Sequence, residues 1–278
     1  MPQRVRDDEP FWLKAPPVIL RRLSEHVKAQ NWFAVFLDFV IVVVGVFVGM
    51  QVSNWNAARI EDSASRAATA RLVEELREEA WGYQYLLEYS DDVVKNAELA
   101  LAMLEGRIER TDEALLIAAY RATQYREPRR SRSTYDELMS TGEIGLIRDR
   151  ALRQLAIKVY TTPIFNNIRQ EGVGSRYREA FRMAVPVAVQ RAVGAACGDR
   201  NVIVGDYNSI IDQLEYPCTS GLPPAALREA AAALDADPQI ARLLRLRIAD
   251  IDTRRGDMLA PVNKDIREGL RAQAERRQ

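Results

Sequence analysis

Apolar residues are distributed along this chain in two ways. From Trp32 to Val52 they run together, with Asp38 the one charge and no polar residue between Phe39 and Met50. A spanning helix needs about 20 predominantly apolar residues at roughly 1.5 Å each. The pattern predicts a transmembrane helix over 32–55, bounded by Trp32 and Trp55, and indoles favour the membrane interface. Thirty-one residues precede it and Met50–Asn56 offers no small-x-small cleavage site, so the segment reads as retained rather than as a cleaved signal.

Beyond the span the apolar residues thin into stripes of helical period. Leu72, Leu76, Ala80, Tyr83, Leu87, Ser90, Val94, Ala97, Leu101 and Leu104 follow at steps of three or four, which predicts a long spine helix from near Ser63 to Gly106. A second helix is expected over Thr111–Ala122. Thr134-Tyr135-Asp136-Glu137 has the form of a capping box, with Gly142 as the stop. Further helices are expected over Asp149–Tyr160, from Pro163 through Phe165, Ile168, Tyr177, Phe181 and Met183 towards Pro186, over Pro223–Leu234, and from Pro238 to about Arg277 with interruptions at Gly256 and Pro261. No run of alternating β-branched residues suggests a strand. The expected fold is all-α: a single N-terminal transmembrane helix followed by a helical-bundle extramembrane domain over 56–278 with one long spine helix.

Composition removes several chemistries. Thirty-nine basic residues balance 39 acidic ones, so no global field draws nucleic acid. One histidine, His26, and two cysteines supply too few soft ligands for a zinc or haem site, and no metal, cofactor or catalytic residue is assigned. Only five of the 39 basic residues are lysine, which leaves 39 − 5 = 34 arginines.

Local charge sets the expected orientation. Residues 12–31 hold Lys14, Arg21, Arg22 and Lys28, against Arg59, Arg66 and Arg71 in 53–72, a bias that favours a cytoplasmic N-terminus. Pro17–Asn31 carries Ile19, Leu20, Leu23 and Val27 at helical spacing, so 1–31 reads as a cytoplasmic tail with a short interfacial helix. Cys197 and Cys218 flank a loop-like stretch. Joined, they would form a disulfide that persists only outside the cytoplasm, placing 56–278 in the periplasm; the alternative is two unrelated buried thiols.

Two groups of residues are candidates for contacts. Asp38, Gly45 and Gly49 share one face of the apolar helix, where glycines four apart let helices approach and an intramembrane carboxyl finds a partner; ordinary membrane-helix composition with a wet Asp38 is the alternative. Arg126, Arg129, Arg130 and Arg132 around Pro128 form the densest basic cluster, an anion patch or a solvated loop. The acids Glu74-Glu75, Glu78-Glu79 and Asp91-Asp92 could hold a hard cation or simply face solvent.

The segment Asp38–Asn56, with its Val-Gly-Val-Phe-Val-Gly core and its exit motif Gln51-x-x-Asn54-Trp55-Asn56, resembles a family of uncharacterised bacterial single-pass membrane proteins. Thr134–Leu138, Gly142, Leu146–Asp149 and Leu152–Tyr160 are similar to that family's second block. The resemblance implies a membrane-anchored helical domain of the bacterial inner membrane and brings no active site and no cysteine pair. The expected function is a non-enzymatic interaction, scaffold or sensor-like module, acting in a membrane complex or homodimer. The alternative is a membrane-tethered enzyme that uses carboxylates and a hard cation.

Overall fold

The computed structural model describes residues 32–126 and 130–275, in which there are helices and no strand. The expected interfacial helix at 17–31 and Arg129 lie outside the described residues.

Helix α1 runs unbroken over Trp32–Leu104, 73 residues. The expected start near Ser63 is therefore corrected: Ala57-Ala58-Arg59-Ile60-Glu61-Asp62 before it contains neither Gly nor Pro, and nothing interrupts the backbone. The far end is as read. Gly106 adopts φ 68°, and Arg107 N–H closes on the Ala102 carbonyl at 2.9 Å, satisfying a terminal acceptor.

The chain divides into two units, residues 1–63 and 64–278. In the first, the described part is α1 from Trp32 to Ser63. Its most apolar window has a mean hydropathy of 2.5 and none of it is buried, so among the described residues one helix is long and apolar enough to cross a membrane.

In the second unit the remainder of α1 is wrapped by ten further helices of the described residues: α2 (Asp112–Arg121), α3 (Ser133–Ser140), α4 (Arg150–Thr161), α5 (Ile164–Val173), α6 (Arg176–Ala184), α7 (Val187–Cys197), α8 (Ser209–Leu214), α9 (Pro224–Ala236), α10 (Pro238–Leu259) and α11 (Lys264–Glu275). Three buried clusters follow one another along α1. Ala68, Leu72, Leu76 and Tyr83 pack with α3, α4, α5 and α11. Trp81, Tyr85, Tyr89 and Val93 pack with Ile210, Leu214 and Ile251. Ala97, Ala100, Leu101 and Met103 pack with α2, α6, α7, α9 and α10. The sequence stripe is thus only one of the buried faces. Trp81, Tyr85 and Tyr89, at steps of four, form another.

Other boundaries move for local reasons. The helix expected from Pro163 to Pro186 is two, α5 and α6, because Ser175 leaves the helical backbone and its side chain caps Arg178 N–H at 3.3 Å. Met183, near the end of α6, is 75 % exposed, whereas Tyr177 and Phe181 are buried. The stretch between the cysteines contains the short helix α8. Gly256 lies within α10, and only the turn at Pro261–Asn263 divides α10 from α11. The Pro261 ring lacks the N–H that would continue the ladder.

Candidate functional site

The arginine cluster does not form a single patch. Arg126 pairs with Asp199 at 3.2 Å and donates to the Arg200 carbonyl at 2.8 Å. Arg130 donates to Glu79 at 2.6 Å and to the Val159 carbonyl at 3.0 Å, and lies 4.0 Å from the Phe165 ring centroid. Arg132 grips Asp136 with two of its nitrogens. Each of the three described guanidiniums already faces a carboxylate of its own chain.

Glu79 and Glu75, one turn apart on α1, hold the loop that carries these arginines. Glu79 also accepts Ser131 N–H at 3.0 Å. Glu75 accepts the Ser133 hydroxyl at 2.8 Å and Thr134 N–H at 2.6 Å, and reaches Tyr135 N–H at 3.4 Å. The first turn of α3 is thereby capped from another helix. Its own N-cap, Arg132, offers no side-chain acceptor, so the expected capping box at Thr134 is corrected. Burial pushes the Glu79 carboxyl up to about 7, opposed by the Arg130 guanidinium. Glu74 and Glu78 point to solvent. Among the described residues no group of three His, Cys, Asp or Glu is placed to hold a metal ion.

A second polar junction gathers residues from distant parts of the chain. Cys197, at the end of α7, and Cys218 form a disulfide with 5.4 Å between their Cα atoms. Arg121, the last residue of α2, donates to the carbonyls of Cys197 (3.1 Å) and Tyr216 (3.0 Å), and its guanidinium lies 4.7 Å from the Tyr216 ring centroid. The Tyr216 hydroxyl donates to the Gly198 carbonyl. Beside it the Tyr89 hydroxyl donates to Asp199 at 2.8 Å. Burial pushes Asp92 up to about 6, countered first by Arg121, and raises Asp199 as well, countered by Arg126. Burial holds the Tyr89 phenol well above its usual range. Behind this junction Arg247 is buried against Glu171 and donates to the Ala122 and Gln124 carbonyls.

The clefts between these groups are narrow. The one bordered by Tyr89, Tyr125, Glu171 and Arg247 leaves about 20 Å³ for the centre of a water molecule, enough for one water and no substrate. The junction ties the disulfide loop to α1 through the Tyr89 hydroxyl on Asp199.

In the first unit Asp38, Gly45 and Gly49 are exposed along the apolar helix, and a Cβ at either glycine would meet nothing within 4 Å. Gln51, Asn54, Trp55 and Asn56 follow on the same helix, also exposed.

Comparison with known families, curated proteins and solved structures finds no match. Of the residues singled out in the sequence, Arg126 and the cysteine pair meet at the second junction, whereas Arg130 and Arg132 lie at the first. Tyr89, Asp199, Arg121 and the Glu171–Arg247 pair were not anticipated. Only Tyr89 had a sequence signal, its four-residue spacing from Trp81 and Tyr85; the others are brought together by tertiary contacts 76 to 125 residues apart.

Proposed function

We propose that this protein is a non-enzymatic, membrane-anchored interaction module that works as a scaffold or sensor within a membrane complex or homodimer. One observation supports the reading above others: α1 carries a bare apolar segment over Trp32–Val52, with large side chains such as Phe36 and Phe47 at 63 % and 60 % exposure. A helix apolar on every side, with no protein around it, is stable when lipid or another helix covers it.

The N-terminus is cytoplasmic and residues 56–278 are periplasmic in the bacterial inner membrane in this proposal. The Cys197–Cys218 disulfide favours that side because such a bond persists in oxidising compartments. Gln51, Asn54, Trp55 and Asn56 would sit at the outer headgroups, as the resemblance of this motif to single-pass anchors implies. Asp38, Gly45 and Gly49 would face the partner helix.

Alkaline carbonate extraction of membranes, together with an alkaline phosphatase fusion at the C-terminus, tests the anchor and its direction. Retention in the pellet with an active fusion is expected. Release into the supernatant would remove the anchor, and an inactive fusion would reverse the orientation. For the partner, leucine at Gly45 and Gly49 is expected to reduce self-association or co-purification in a membrane two-hybrid assay; unchanged association would dismiss this face.

A further inference from the structure

The expected anion patch is engaged internally, yet guanidiniums elsewhere are not. Arg182 on α6 and Arg191 on α7 are exposed and have no carboxylate or hydrogen-bond partner for their guanidiniums among the described residues. Both border one open groove that leaves about 290 Å³ for the centre of a water molecule. The half-buried Tyr120 ring, backed edge to face by the buried Phe181 with centroids 6.2 Å apart, and the exposed Val187 supply its apolar wall.

Gly194 lines the groove at a point of close approach: a Cβ there would come within 2.6 Å of the Tyr120 hydroxyl oxygen. None of the lining residues is acidic. Arg182 also borders an adjoining groove with Arg178, whose guanidinium lies 4.6 Å from the Tyr125 ring centroid; Glu179 is its single acid.

Solvated arginines alone imply little. Here a concave surface combines two unpaired guanidinium forks, a phenol and an apolar wall, the elements of a site for an anion with a hydrophobic body. We propose that this groove binds an organic anion, a phosphate ester or carboxylate whose charge pairs with Arg182 and Arg191 while its apolar portion lies on Tyr120 and Val187. The site goes beyond the anchoring reading and gives its sensor form a ligand class.

The test is isothermal titration calorimetry on the full chain in neutral maltoside micelles, with phenyl phosphate, benzoate, inorganic phosphate and phenol as probes. Phenyl phosphate, benzoate or both are expected to bind more tightly than inorganic phosphate and phenol, which lack one half of the recognised chemistry. Arg182→Gln and Arg191→Gln are each expected to weaken binding by about tenfold, the worth of one charge-assisted contact. Arg228→Gln, exposed on α9, should leave it unchanged. Both target arginines are exposed, so the variants are expected to melt with the parent protein. Arg182→Lys should restore part of the affinity.

Absence of binding by both organic anions overturns the proposal, as do equal affinities for phenol or unaltered binding in both glutamine variants. Membrane extraction is read independently, so failure of the anchor and failure of the groove give different results.

Discussion

The cap supplied by Glu75 makes a sharp prediction. The carboxylate is buried at 7 % exposure and satisfies the Ser133 hydroxyl and Thr134 N–H at hydrogen-bond distance, with Tyr135 N–H at the limit. Glu75→Ala leaves a buried helix N-terminus without an acceptor. An N-cap is worth about 0.5–2 kcal/mol and a hydrogen bond to a charged group about 1.5–3 kcal/mol, so the two overlapping effects are expected to cost about 3 kcal/mol. For a folded unit of this size that is a fall of roughly 6–12 °C in Tm. Glu75→Gln keeps an acceptor oxygen and should cost about 1 kcal/mol. Thermal unfolding in maltoside, followed by circular dichroism, measures both. Glu78→Ala, at an exposed position one turn away, is the control, with an expected effect within about 0.5 kcal/mol. Equal melting of Glu75→Ala and Glu78→Ala would refute the cap.

Three further outcomes are expected. Because burial raises the folded-state Glu79 carboxyl from 4.5 to about 7, and Asp92 from 3.8 to about 6, the folded state holds more protons than the unfolded one between these values. Their contribution is full below the unfolded values and lost as pH rises through the folded ones, so chemical-denaturation stability should fall between about pH 5 and pH 7.5, with a shallower slope in Glu79→Gln. At lower pH Glu105, held down by Arg245 and Arg107, and Asp265, held down by Lys158, act in the opposite direction. Replacing both cysteines by serine should cost about 3 kcal/mol in the same melt, the value for a loop of this length, and a mass shift on alkylation only after reduction would report the bond in the parent protein. Gly172→Ala should destabilise by about 1–3 kcal/mol, because a Cβ there would lie 2.2 Å from Tyr125 Cβ, whereas Gly256→Ala, in α10 with nothing within 4 Å, should stabilise by about 0.5–1 kcal/mol.

The sequence by itself determined the apolar segment, the helical class and most helix positions. These are properties of short windows: a run of side chains without polar interruption, a period near 3.6, and a stop such as Gly106, whose φ of 68° ends α1. The period also exposed one buried face of α1 and hid the rest, since a helix packed on several sides has no clean polar stripe.

Only the tertiary structure decided what the charged residues do. Glu75 and Glu79 read as solvent-facing acids or cation ligands because a window cannot show that a loop 51 to 60 residues away brings its N–H groups and Arg130 to them. For the same reason the densest arginine cluster suggested an anion patch, while Arg182 and Arg191, which border the open groove, lie on helices where nothing in their spacing marks them. Charge is long-range and its partners are chosen by packing, so its role becomes legible only once the helices are assembled.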